Sequence, residues 1–277
     1  EHYWSPNDIG TRDKLEIDCS KFLPYLDPKA GTGPSGFSNT YLTPLQSPHW
    51  NVGTPESSAV TRLNHFAELY MNDQLPQWFS FLMLGAKQLG IDKEKLWTDG
   101  NTDFRFLAVG ENSRRLFWKA AFRTRGKCFQ GFAEPQQLAL GTPAGEQLLA
   151  LGTAALIEQF PHHVFVKDDL INMFGMALRC EGLKNVLNDP NCSEFHRVLN
   201  MEAYPETNIY YVDAKGKMQK APWKYSEGGQ QGATAGLVLA CAAIQPYIEE
   251  LDIELRRHGG SARKGIDDGV SHGPPEI

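Results

Sequence analysis

Two pairs of aspartates are the residues of this sequence whose types and spacing could do chemistry. Asp168 and Asp169 end the apolar stretch 164–166, which is predicted to be a strand. Asp267 and Asp268 lie in a short turn that has a glycine on each side. Carboxylates at neighbouring strand ends offer the oxygen ligands that Mg²⁺ prefers. An Asp–Asp pair also occurs by chance in many chains, so the pairs need supporting motifs before they indicate a metal site.

A glycine-rich segment, 226–236, separates the two acidic pairs. Glycine tolerates positive φ and lets the backbone pass close to a ligand. The apolar run that follows has Leu237, Ala240, Cys241 and Ile244 at helical spacing and predicts a buried helix. Small residues packed against a sheet would give the same pattern, so this segment alone predicts only a turn and a helix.

A local basic cluster contrasts with the acidic chain, whose net charge is −6. Between residues 104 and 130 the only acid is Glu111, and the basic residues are Arg105, Arg114, Arg115, Lys119, Arg123, Arg125 and Lys127. Nucleic-acid binding needs a positive surface of this kind. A solvated helix face has the same composition, so both interpretations stay open.

Composition and cysteine usage limit the class of protein. A hydrophobic content of 41% and a charged content of 22% are ordinary for a globular protein, and no apolar run approaches the roughly 20 residues of a membrane span. The five cysteines are scattered and form no CxxC pair, which argues against a disulfide framework and a zinc site. An intracellular, reducing compartment is expected. His162 and His163 lack a third ligand nearby and are predicted to lie at the surface or the core edge.

Regular elements are predicted around these residues. Residues 1–54 are rich in Pro, Gly, Ser and Asn and predict an irregular extension. Thr54 and Pro55 predict the start of a first helix, and Leu75-Pro76 predicts that of a second. The further predicted elements are a strand over 103–110, helices from Glu111 and from Pro143, a strand over 164–169, a helix over 176–187, a hairpin from 208, and helices over 237–244 and 246–258.

Taken in chain order, these motifs resemble the reverse-transcriptase domains of non-LTR retrotransposons. Residues 169–174 are similar to the family's D-x-x-N-A-F motif, with Asp169, Asn172 and Phe174 at its fixed positions. Gln231-Gly232 resembles the Gln–Gly turn of the family, and Asp267-Asp268 resembles its metal-site hairpin. Residues 103–111 resemble the R-P-I-x-x-G strand, and 132–141 the P-x-Q-x-G segment. The resemblance covers about residues 55–277.

The resemblance implies an α+β fold with the fingers and palm of a right-hand polymerase, in which an antiparallel palm sheet packs on helices. It divides the chain into the irregular extension 1–54, a fingers-like region of helices and strands over 55–160, and a palm-like region over 161–277. Because the sequence stops shortly after the Asp–Asp hairpin, the thumb is expected to be absent.

The activity that the resemblance implies is RNA-directed DNA polymerisation by two-metal nucleotidyl transfer, with an RNA template and a DNA primer as partners. Asp169, Asp267 and Asp268 would be catalytic, and Asp169, Asp267 and the Leu170 carbonyl would hold Mg²⁺ or Mn²⁺. The residues expected to contact the nucleotide are Arg105, Leu170, Phe174, Gln231 and Gly232. Those expected to contact nucleic acid are Lys93, Arg114, Arg115, Lys119, Arg123 and Gln136.

Departures from the family pattern favour a second class of function. Gly265 stands where the family hairpin has an aromatic residue, and Phe106 replaces the proline of the fingers strand. Asp168 has no counterpart in the motif and is predicted to be a surface charge. The alternative is a catalytically inactive, domesticated reverse-transcriptase-like fold that serves as a structural subunit of a larger complex. The three surviving aspartates favour the enzyme.

Overall fold

Helices and two small sheets make up the structure, a computed structural model that describes residues 13–96, 102–138, 140–203, 207–225 and 228–276. For residues 92–96, 102–105 and 225 it describes the backbone only. With 51% of the chain helical and 17% in strands, the predicted α+β class is confirmed. Among the described helices, none is both long enough and apolar enough to cross a membrane.

The bounds of the elements follow the sequence patterns in most places. The helices are α1 (Asn39–Leu42), α2 (Ala59–Met71), α3 (Gln77–Leu84), α4 (Asn112–Arg125), α5 (Lys127–Ala133), α6 (Gly145–Gln159), α7 (Met173–Met176), α8 (Arg179–Leu187), α9 (His196–Glu202) and α10 (Thr234–Arg257). The strands are β1 (Ala86–Leu96), β2 (Thr102–Gly110), β3 (Val164–Asp169), β4 (Thr207–Val212), β5 (Met218–Tyr225), β6 (Ser261–Lys264) and β7 (Asp268–Gly273).

The strands form two separate sheets. The first has the order β2-β1-β4-β5, in which β1 runs parallel to β4 and the other neighbours are antiparallel. The second is antiparallel, with the order β3-β7-β6. The segment around Gln137 adds one parallel bridge to the free edge of β6, because Lys264 N–H donates to Gln136 O at 2.7 Å and Leu138 N–H to Lys264 O at 2.9 Å.

The long helix α10 packs against both α8 and the second sheet. Gly182 on α8 allows a very close approach, since a Cβ placed there would lie 2.1 Å from the Leu239 carbonyl oxygen. The sequence predicted two helices separated at Pro246, and this prediction is wrong because α10 continues through the proline. Proline frees the carbonyl four residues earlier, and the Asn185 side chain donates to that carbonyl, Ala242 O, at 2.9 Å.

Two other predicted boundaries are shifted. The first helix begins at Ala59 instead of Pro55, because Pro55–Ser57 forms a short 3₁₀ turn and the Ser58 hydroxyl caps the helix by accepting from Thr61 N–H at 3.1 Å. The helix predicted over 176–187 is α8, which begins at Arg179, and a separate short helix, α7, ends at Met176.

The irregular extension is packed into the core where it is described. Leu15, Ile17 and Cys19 are buried, and their N–H groups bond to side chains spaced four residues apart on α2. The acceptors are Asn72 Oδ1 at 2.9 Å, Glu68 Oε1 at 3.3 Å and Asn64 Oδ1 at 2.9 Å, respectively. Side chains of α2 thus replace the sheet partner that this extended segment lacks.

Candidate functional site

The second sheet brings the two acidic pairs of the sequence to one place. Asp169, the last residue of β3, lies directly opposite Asp268, the first residue of β7. The next residue, Leu170, donates its N–H to the Asp267 carbonyl at 2.9 Å. Hydrogen-bonded and non-bonded pairs alternate in an antiparallel ladder, so Asp169 and Asp268 form the closer kind, with Cα atoms about 4.5 Å apart.

This arrangement of acids is electrostatically unfavourable by itself. Like charges directly opposite each other destabilise a sheet, and the only ion pair that Asp169, Asp267 or Asp268 makes in the described chain joins Lys167 Nζ and Asp268 Oδ1 at 3.1 Å. Both of those side chains are more than half exposed, so the pair contributes little. In the described ranges no three His, Cys, Asp or Glu side chains converge closely enough to hold a metal ion. The backbone therefore brings the aspartates close together, but their carboxylate groups do not converge on one point.

An ion pair on the other face fixes the register of the three strands. Asp168, predicted to be a surface charge, has a side chain that is 43% exposed, and its carboxylate pairs with Lys264, whose side chain is only 9% exposed. The two residues flank Gly269 in one row across β3, β7 and β6. A Cβ placed at Gly269 would lie 2.5 Å from Asp168 Oδ1 and 2.6 Å from Lys264 Nζ. A side chain at this position would therefore have to displace the ends of both partners.

Gly265, which departs from the family hairpin, also has a structural reason. A Cβ placed there would lie 2.6 Å from both carboxylate oxygens of Glu146. Glu146 is in the first turn of α6, where a negative charge is favourable. The sequence reasoning missed Glu146 as a neighbour of the hairpin, and only its place in a predicted helix start gave any signal.

The Gln–Gly turn contacts both the segment after Asp169 and the first sheet. Gly228 has φ +73°, and Gly229 N–H donates to Phe174 O at 2.5 Å. Ala108 N–H on β2 donates to Gln231 O at 3.0 Å. Gly232 has φ +105°, and a Cβ there would lie 3.2 Å from the Ala108 carbonyl, so the two backbones run close together. The predicted turn thus lies between β2 and Phe174.

The basic helix α4 does not present all of its predicted nucleic-acid contacts to solvent. Arg114 was expected on the surface, but it is 4% exposed and pairs with the buried carboxylate of Glu202. Arg115 is half-buried and donates to Gly31 O and to Asn112 Oδ1. Lys119 and Arg123 are exposed, as expected. The prediction for Arg114 is wrong because α4 buries its N-terminal half, leaving only the C-terminal half for a polyanion.

The remaining predicted site residues have varied positions. Gln136 donates to Asp252 Oδ2 at 3.0 Å, so its amide helps to hold α10 instead of lying free. Phe174 is partly buried against the core, and the Leu170 carbonyl accepts from Met173 N–H at 3.2 Å. Lys93 and Arg105 lie in β1 and β2, and their side chains are outside the described part of the chain.

A small cleft, with room for about one water molecule, lies between β2, α4 and the Gln–Gly turn. Its lining residues are Gly110, Arg114, Arg115, Trp118, Gly232, Ala233 and Thr234. The cleft separates β2 from the turn.

The far end of the second sheet holds a histidine cluster. The Nδ1 atoms of His163 and His272 are 3.0 Å apart, and His272 Nε2 is 2.9 Å from Ser261 Oγ. Phe160 and Phe165 stack on the ring of His272. Burial, together with the nearby His163 and Arg263, lowers the pKa of His272. The cluster is a packed, structural feature, about four residues along β3 from the acids.

Comparisons with known proteins give no independent support for a family. No family model matches the chain, and no curated protein matches it.

Proposed function

We propose that this chain is a reverse-transcriptase-like, RNA-directed DNA polymerase domain that catalyses nucleotidyl transfer with two divalent metal ions. The observation that carries the proposal is the position of Asp169 opposite Asp268, with Asp267 in the adjoining turn. An unfavourable pair of like charges at a strand end is expected where a cation is to be bound. The polymerase-type arrangement of fingers and palm is part of the same proposal.

The donor set fits Mg²⁺ or Mn²⁺, which take oxygen ligands and keep several waters. Asp169 and Asp267 are exposed, so their carboxylates can rotate towards a shared ion, with Asp268 in support. The Leu170 carbonyl accepts one hydrogen bond and keeps a second lone pair. When bound, the metal ions would stabilise negative charge on the attacking and leaving oxygens.

The protein's own contribution would be mainly positioning, as phosphoryl transfer requires. The Gln–Gly turn offers a backbone without side-chain bulk at Gly232, next to the small cleft. Phe174, whose carbonyl accepts a hydrogen bond from Gly229 N–H, would pack under the nucleotide sugar. Arg105 would contact the phosphates of the nucleotide. The exposed Lys119 and Arg123 would contact the nucleic-acid backbone.

A second candidate is the inactive, domesticated fold that serves as a structural subunit of a larger complex. One observation favours it: α6 leaves three large apolar side chains more than 45% exposed, at Leu148, Leu151 and Ile157. Leu148 and Leu151, three residues apart, lie on one helix face, and exposed apolar surface of this kind is typical of a protein contact.

Primer extension on an RNA template with Mg²⁺ or Mn²⁺ tests the proposal. We expect the wild type to extend a DNA primer, and Asp169→Asn and Asp267→Asn to lower the rate at least about a hundredfold, because each removes charge stabilisation worth several kcal/mol. Asp213→Asn, in the β4–β5 hairpin turn, is the matched control and should extend at the wild-type rate. If the folded wild-type chain extended no primer with either metal ion, the polymerase proposal would be refuted. The structural-subunit candidate would then remain.

A further inference from the structure

A buried polar network connects the helical core to the Gln–Gly turn. At its centre is Glu202, the last residue of α9, which is 5% exposed. Its Oε1 accepts from Tyr70 Oη at 2.8 Å, from Trp118 Nε1 at 2.7 Å and from Arg114 Nε at 2.9 Å. Its Oε2 accepts from Arg114 Nη2. Three of these four bonds are made to Oε1 and one to Oε2, so three side chains hold the carboxylate in place.

Arg114 connects this cluster to Gln230. Its Nη1 donates to Gln230 Oε1 at 3.1 Å. Gln230 is itself 6% exposed, and its Nε2 donates to Leu84 O at 3.1 Å and lies 3.3 Å from Thr207 Oγ1. Burial opposes the charge of Arg114, but Glu202 outweighs burial and raises the pKa of the guanidinium. Arg114 therefore stays charged, and the amide of Gln230 is held from three sides.

Gln230 belongs to the turn that the candidate site uses. Its own carbonyl accepts from Ala233 N–H at 3.0 Å, which closes the turn, and the next residue, Gln231, bonds to Ala108 on β2. The guanidinium of Arg114 also lies beneath the end of β2, because a Cβ placed at Gly110 would be 3.3 Å from Arg114 Nη1. The buried side chain of Arg114 thus contacts both the turn, through Gln230, and the end of β2, which lie on two sides of the small cleft.

We propose that Arg114 and Glu202 are positioning residues which, acting through Gln230, hold the Gln231–Gly232 turn against β2 in the geometry that the incoming nucleotide needs. The consequence for the nucleotide rests on the proposed function, whereas the effect on the turn can be measured without any activity. A network that served only to pack α2, α4 and α9 would stabilise the fold and leave the turn unaffected.

Gln230→Met tests the connection, since it keeps the Arg114–Glu202 pair and removes the amide that links the pair to the turn. The matched control is Gln245→Met on α10, whose amide is also buried and donates to Ala133 O at 3.2 Å and to Glu249 Oε1 at 2.8 Å. Hydrogen exchange is read at the amides of Ala108 and Ala233. We expect exchange at least about tenfold faster in Gln230→Met than in Gln245→Met, the factor that loss of one typical hydrogen bond gives.

A second variant separates positioning from folding. The double substitution Arg114→Met with Glu202→Gln removes both charges, which often preserves stability, and keeps an amide oxygen that can accept from the buried Tyr70 and Trp118. We expect the double variant to unfold cooperatively, yet to show the same faster exchange in the turn. In primer extension the KM for the nucleotide should rise about tenfold, matching the same lost hydrogen bond, while the affinity for template–primer stays unchanged.

Wild-type exchange rates in the turn of Gln230→Met would overturn the positioning role, as would equal acceleration in Gln245→Met. A wild-type chain that extends no primer would instead refute the proposed function. The exchange result, and with it the effect of Arg114 and Glu202 on the turn, would still stand.

Discussion

Asp168 and Lys264 form an ion pair that passes over the backbone of Gly269 and joins the three strands of the second sheet. The pair lies one residue from Asp169 and on the opposite face of the sheet. Its position means that the alignment of Asp169 with Asp268 depends on a contact that takes no part in the proposed chemistry.

Gly269→Ala should therefore separate this ion pair and loosen the register of β3, β7 and β6. The expected loss is about 1–3 kcal/mol in the free energy of unfolding, as for other substitutions that overfill a packed site. Urea unfolding measures it. Gly152→Ala on α6 is the control, because a Cβ there meets no atom within 4 Å, and alanine in a helix stabilises by up to about 1 kcal/mol. Equal stability of the two variants would contradict the role given to Gly269.

Asn72→Ala should release the start of the extension from α2. Asn72 bonds to both the N–H and the carbonyl of Leu15, each at 2.9 Å, and the groups left behind are buried. We expect about 1–3 kcal/mol of destabilisation, with faster hydrogen exchange at Leu15. The exposed Asn191→Ala should stay within about 0.5 kcal/mol of the wild type. Unchanged exchange at Leu15 would show that the extension is held by other contacts.

His272 should make stability fall in mild acid. Its pKa is lowered from 6.5, first by burial and then by His163 and Arg263. Below 6.5 the unfolded chain therefore binds a proton that the folded chain does not, so stability is fully present above 6.5 and decreases as the pH falls through the folded pKa. The slope from this group is at most about 1.4 kcal/mol per pH unit.

Unfolding of His272→Gln between pH 7.5 and pH 5 (about the range in which histidine titrates) should show a flatter dependence than the wild type. If His272→Gln kept the full slope, another group would have to be responsible.

Gly265→Tyr should be tolerated only when Glu146 is shortened. The tyrosine restores the residue type of the family hairpin, but its Cβ would meet the Glu146 carboxylate, and overfilling costs about 1–3 kcal/mol. We expect Gly265→Tyr to be destabilised and Gly265→Tyr with Glu146→Ala to recover most of the loss in thermal unfolding. Additive losses in the double variant would mean that the two residues do not compete for this space.

The sequence predicts what depends on neighbours close along the chain. The strand that ends in Asp169, the glycine turn before α10 and the start of α3 follow from local patterns, and the structure confirms each of these elements. The helix through Pro246 does not, because the carbonyl that proline frees is satisfied by Asn185, on a different helix.

The partners of two charged residues at the candidate site could not be predicted for the same reason. Arg114 meets its acid 88 residues away, and Asp168 meets its lysine 96 residues away. A charge on an amphipathic helix or at a strand end has the same local pattern whether it faces solvent or a buried partner. Only the fold, which brings α9 to α4 and β6 to β3 through β7, distinguishes the two cases.

Divalent-metal binding tests the central claim most directly. Mn²⁺ titration followed by electron paramagnetic resonance should show binding to the wild type. Asp169→Asn with Asp267→Asn should weaken the binding at least about tenfold, since even partners outside the ligand set change metal affinity by that much. Asp213→Asn should bind as the wild type does. Absence of binding at millimolar Mn²⁺, or binding that the double variant leaves unchanged, would contradict a metal site formed by Asp169 and Asp267.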